Sequence, residues 1–109
     1  MATISKEELA RRLVEDPSLQ VVNVLDPKQY HLGFIRGSKR IPLSELERRA
    51  GELDKSREVI VYCASYDCHA SRNAAKKLEA LGFCARAYEG GIKEWKEAGL
   101  PVEEQAHAA

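Results

Sequence analysis

The chain has 109 residues, the length of one domain, and its 17 basic and 17 acidic side chains cancel. Zero net charge leaves no electrostatic footprint for nucleic acid or an anionic membrane surface. Hydrophobic residues make up 44% of it beside only 7 Gly and 4 Pro, which excludes collagen-like and disordered classes and supplies a core. No apolar run reaches the length of a membrane span. Lys6, Glu7, Glu8, Arg11 and Arg12 put charge where a signal peptide needs an apolar stretch, so a soluble cytoplasmic domain is expected. The three cysteines, Cys63, Cys68 and Cys84, are too few and too unevenly spaced for a disulfide framework. In a reducing compartment each is a thiol.

Ser5-Lys-Glu-Glu8 is a capping box, and Leu9 and Leu13 follow at helical spacing, which predicts a first helix over 5–15. Leu19 to Leu25, rich in β-branched residues and bounded by Pro17 and Pro27, reads as a strand. Asp26 caps and Pro27 opens a short helix that stops near Gly33. Ser38 to Ile41 is a further strand candidate, and Ser44-Glu-Leu-Glu47 is a second capping box, opening a helix that ends at Gly51. Val59 to Tyr62 is apolar without alternation, as expected of a strand covered on both faces. Beyond the loop Cys63 to His69, the residues Ala70, Ala74, Ala75, Leu78 and Leu81 trace one helical stripe that Gly82 closes. Cys84 to Tyr88 is the last predicted strand. Gly90-Gly91 then turns the chain into a helix over 92–98, ended by Gly99 and Pro101.

Strands alternating with helices, with no hairpin turns, predict an α/β fold: a parallel sheet with helices on both faces. Ligands of such sheets bind outside the carboxyl ends of the strands. Cys63 lies there, between the most apolar strand and a helix start. Unpaired amides of the loop and the helix dipole favour negative charge at that point, which lowers a thiol pKa and can hold an oxyanion or an added sulfur. The geometry suits nucleophilic attack on an activated sulfur.

Val59-Ile-Val-Tyr-Cys-Ala-Ser65 and Tyr88-Glu-Gly-Gly-Ile-Lys-Glu-Trp-Lys-Glu-Ala-Gly-Leu-Pro-Val102 resemble the rhodanese-like sulfurtransferases. So do Val21-Val-Asn-Val-Leu-Asp-Pro-Lys-Gln-Tyr30, Gly33 to Ser38, and Ile41-Pro42; the likeness spans nearly the whole chain. It implies a central parallel sheet of about five strands and a catalytic Cys63 that becomes a persulfide. The loop departs from the family pattern Cys-x-x-Gly-x-Arg-Ser, with Tyr66 at the glycine position and Cys68 at the arginine. Upstream, Asn23, Leu25 and Phe34 replace an expected Asp, Arg and His. Phosphatase relatives need an arginine fork six residues beyond the cysteine, and His69 stands there. Phosphatase activity is not expected.

The reading is therefore a sulfurtransferase that holds sulfane sulfur on Cys63 and passes it to a thiol, protein or other nucleophilic acceptor. Its donor is a small persulfide, polysulfide or thiosulfate, with thiosulfate disfavoured by the missing arginine. Ala64, Ser65, Tyr66, Asp67, Cys68, His69, Ala70 and Ser71 form the anion-binding loop, with Arg72 as a possible accessory. Asp67 is expected to raise the pKa of the nearby thiol. A loop with inward amides is expected to turn Cys68 outward, and Cys63 to be alkylated well ahead of Cys84. Two alternatives stay open: a Cys63/Cys68 dithiol redox protein, and a non-catalytic binding or regulatory module. No cofactor, metal, nucleic acid or membrane partner is expected. His31 and His107 lie on a surface-type helix and in the tail, and Trp95 reads as core. Residues 1–102 are expected to form the single domain, with 103–109 a flexible tail.

Overall fold

One strand is buried on both faces, and the other elements are arranged around it. In the computed structural model, which describes residues 2–103, Val59, Ile60, Val61 and Tyr62 are each fully buried. In chain order the strands are β1 (Gln20–Asn23), β2 (Phe34–Ile35), β3 (Lys39–Arg40), β4 (Val59–Tyr62), β5 (Ala85–Tyr88) and β6 (Val102–Glu103). The helices are α1 (Lys6–Glu15), α2 (Leu46–Arg49), α3 (Ala70–Ala80) and α4 (Gly91–Glu97). Four strands form a parallel sheet in the order β3-β1-β4-β5, so β4 is paired along its length to β1 and to β5. The expected fifth strand is a single parallel bridge from Thr3 to Ala87, held by Ile4 N donating to Ala87 O at 3.1 Å.

Local chemistry accounts for most boundaries. Ser5 is extended, and its Oγ accepts from Glu8 N at 3.1 Å to cap α1. Glu8, the other half of the box, instead accepts from Arg86 on β5 at 2.9 and 3.2 Å. Asp26 caps a 3₁₀ turn over Pro27–Leu32, and Gly33, at φ 95°, ends it. The second capping box does not form. The chain enters a 3₁₀ turn at Leu43 directly after Pro42, α2 has only four residues, and no side chain caps either segment. Glu47, the carboxylate that the box required, pairs instead with Lys77 of α3 at 2.6 Å.

A second sheet went unread in the sequence: β2 and β6 pair antiparallel, Phe34 opposite Glu103 and Ile35 opposite Val102. Glu103 also accepts from Gly37 N at 2.8 Å, so it belongs to the folded domain and not to a tail. The rest of the expected tail, 104–109 with His107, lies outside the described residues. Strands of two residues carry no periodicity for a sequence pattern to show. Trp95 is buried as expected, and its indole N–H donates to Pro101 O at 2.9 Å, which brings the chain back toward β6.

The buried end of β4 is held by one phenol. Tyr62 Oη accepts from Ile35 N at 2.9 Å and from Asn23 Nδ2 at 3.2 Å. With both lone pairs used, its proton goes to Ser38 Oγ, 2.7 Å away. Asn23, fully buried, completes the set by accepting from Leu25 N at 2.9 Å. Tyr62→Phe leaves two buried donors without an acceptor and is expected to cost about 2 kcal/mol or more. Urea denaturation checks this, and an unchanged midpoint would refute the assignment.

Candidate active site

Cys63 follows β4 directly and has 0% of its surface exposed. Its carbonyl accepts from Ile92 N at 2.9 Å, and the Ala64 carbonyl accepts from Lys93 N at 2.9 Å. The start of the loop thus satisfies two amides at the first turn of α4 that have no intrahelical acceptor. The approach is close enough to dictate a residue. Gly91 has φ +65°, and a Cβ there would stand 2.5 Å from Cys63 O. Farther along, Cys68 N donates to Ser65 O at 3.0 Å, turning the chain back into α3.

These anchors bring two sulfurs together. The Cys63 thiol donates to Cys68 O at 3.4 Å and also interacts with the Cys68 sulfur. Burial, then the contact with Cys68, pushes the Cys63 thiol up to about 11, against the opposing pull of the Ser71 amide and hydroxyl. Cys68 shifts the other way. Its partial burial is outweighed by the Cys63 thiol and the N–H groups of Ala70 and Ala64, which favour the thiolate. Of the two thiols, Cys68 is therefore the easier to ionise and Cys63 the harder. Ser71 is fully buried on α3, and its Oγ faces the Cys63 sulfur without completing a hydrogen bond.

Three expectations change here. Asp67 is exposed and plays no part in raising the Cys63 pKa; burial and Cys68 do. Cys68 turns inward, since the turn that its own N–H makes with Ser65 folds its side chain back against the core. Cys63 is the hidden thiol, whereas Cys84 is exposed.

Of the other loop residues, Ala64 and Ser65 are half-buried and border a cavity of about 320 Å³ with Lys93 and Lys96. Ala70 is half-buried at the start of α3. His69 is exposed just before it and makes no capping bond. Arg72 is engaged elsewhere in the loop: its Nε lies 3.0 Å from Glu89 Oε2, and its Nη2 donates to Tyr66 O at 3.4 Å. His31 is engaged with Lys28 O at 3.1 Å.

Glu94 is the residue that sequence reasoning missed. It accepts from Tyr88 Oη at 2.7 Å and from Tyr66 Oη at 3.1 Å, which ties the exposed tip of the loop to α4. Burial and this carboxylate together push the Tyr88 phenol well above its ordinary range. Gly90 makes room for it, since a Cβ there would meet Glu94 Oε1 at 2.2 Å. The Gly-Gly pair reads as a simple turn, and Tyr88 and Glu94 lie at no helical or strand spacing, so nothing in the pattern joined them.

On the side toward β1 and β3, a cavity of about 610 Å³ lies over the strand ends, lined by Leu25, Pro42, Leu43 and Cys68. With the sheet, loop and glycine pair in place, comparison is informative: the profile of the rhodanese-like domain matches residues 5–98. The chain belongs to the rhodanese-like family. It is 26% identical to a protein named sulfurtransferase from Allochromatium vinosum, over 91% of this chain and 92% of that one. It is 34% identical to the HTH-type transcriptional regulator Rv0324 of Mycobacterium tuberculosis over 94% of its own length, and spans only 45% of that protein. The crystal structure of a rhodanese-like domain protein from Staphylococcus aureus superposes with a TM-score of 0.84 at 27% identity, covering 97% and 100% of the two chains.

Two measurements test this geometry. Iodoacetamide near neutral pH is expected to modify Cys84 and Cys68 before Cys63, with Cys63 labelling rising only as pH approaches about 11. Peptide mapping reads the order, and Cys63 labelled first at neutral pH would contradict the buried, protonated thiol. Gly91→Ala combines a left-handed backbone with a backbone clash and is expected to cost more than about 2 kcal/mol in chemical denaturation.

Proposed function

We propose that this protein is a cytoplasmic sulfurtransferase that carries sulfane sulfur as a persulfide on Cys63. The observation that carries the reading is the buried Ser71 beside that sulfur, with its amide and its unpartnered hydroxyl both favouring an anion there. A donor R–S–S⁻ gives up its outer sulfur: the donor S–S bond breaks, a new S–S bond forms at Cys63, and the Cys63 proton leaves with the donor as R–SH. An acceptor thiol then attacks the outer sulfur, takes it as a persulfide, and its proton restores the Cys63 thiol. Loop amides and Ser71 hold the charge during the exchange, and Arg72 supports the loop by holding Tyr66 O.

The donor is a persulfide or polysulfide in preference to thiosulfate. Position 68 carries a cysteine where the family pattern has a cation, so the loop lacks the charge that would attract a dianion. The relative named as a regulator supports a second reading, in which the domain is a binding or regulatory module without turnover. Intact mass separates the two. After incubation with polysulfide the protein is expected to gain the mass of one sulfur, mapped to Cys63 and removed by added thiol. No gain at any cysteine would overturn the carrier reading and leave the module.

A further inference from the structure

Cys63 is fully buried and lines neither the cavity of about 610 Å³ nor the one of about 320 Å³. Cys68 is half-buried, borders the larger cavity, and takes the Cys63 thiol on its own carbonyl at 3.4 Å. The backbone N–H groups of Ala64 and Ala70 favour the ionised form of its sulfur. A donor in the cavity therefore meets Cys68 before Cys63. The cavity has an apolar floor of Leu25, Pro42 and Leu43 and a charge-balanced rim. Arg48 is paired with Glu45 at 2.9 Å and Lys77 with Glu47 at 2.6 Å, while Asp26 adds a carboxylate. Such a rim offers no free cation for a dianion and suits a small alkyl persulfide that carries both charges.

We propose that sulfane sulfur enters the site through Cys68, which takes it from an alkyl persulfide in the larger cavity and hands it to Cys63. The inference rests on the carrier reading of Cys63. In the first step Cys68–S⁻ attacks the outer sulfur of R–S–S⁻, giving Cys68–S–S⁻ and R–S⁻. In the second, Cys68–S–S⁻ and Cys63–SH become Cys68–SH and Cys63–S–S⁻: the S–S bond at Cys68 breaks, one forms at Cys63, and the proton moves from Cys63 to Cys68. The moving sulfur keeps its oxidation state throughout, so no oxidant or reductant is consumed. Cys68 is thus assigned as a catalytic residue.

The test uses cysteine persulfide with rapid quenching, alkylation and peptide mapping. In the wild-type protein the added sulfur is expected on Cys68 first and on Cys63 later. Cys63→Ser is expected to trap it on Cys68, and Cys68→Ser to load Cys63 about tenfold or more slowly. The wild-type time course needs no variant, so it stands even if a substitution disturbs the loop. Wild-type loading of Cys63 with no earlier Cys68 species, matched by an equal rate in Cys68→Ser, overturns the relay but leaves the carrier reading intact. No sulfur on either cysteine overturns both. A Cys63–Cys68 disulfide with sulfide released overturns the relay and makes the pair a persulfide reductase.

Discussion

The arrangement depends on two carbonyl groups. By accepting from Ile92 N and Lys93 N, Cys63 O and Ala64 O bind the end of β4 to the start of α4. Each backbone dipole that goes to α4 fixes the direction of the peptide beside it, so the side chain of Cys63 is driven inward, under the loop. The contact also explains why glycine stands at 91: the backbones meet at a distance no Cβ allows. Adjacent Gly90 is small for a different reason, leaving space for the carboxylate that holds two tyrosines. Two neighbouring glycines thus serve two separate constraints, one of backbone and one of side-chain packing.

Burial then divides the labour between the sulfurs. A desolvated thiol is harder to ionise, and a neighbouring thiol beside backbone N–H groups is easier. The fold thereby disfavours an anion at the end of the strand, where the helix terminus alone would favour it. Cys68 stands at the position where the family pattern has an arginine, so a cation has been replaced by a group that carries the opposite charge when it ionises. That exchange alters what the loop can receive more than any other departure in it.

Much of this was legible in the residues. Val59 to Tyr62, the stripe from Ala70 to Leu81, and the caps at Ser5 and Asp26 are signals made by near neighbours, and they appear at or within a residue of the expected places. The failures concern partners that are far apart in the chain. Glu47 satisfies the local rule for a capping box but finds Lys77, and Glu8 leaves its box for Arg86. In the site, Cys63 and the loop were legible from their place at a strand end. Which way Cys68 faces depends on the Ser65 turn, and the role of Glu94 depends on Tyr66 and Tyr88, none of which spacing records.

Both ends of the described chain close the structure late. Residues 2–4 pair with Ala87 of β5, and Glu103 reaches Gly37, 66 positions away. Contacts of such separation form only after the intervening chain has been brought together, because loop-closure entropy opposes them until then. The segment from β1 through α3 has its strands and helix in close succession and can organise first, leaving Phe34 and Ile35 without an edge partner in the meantime. During synthesis from the ribosome, that short edge waits for nearly the whole domain to emerge. Shielding β2 is therefore one of the last events in the maturation of this molecule.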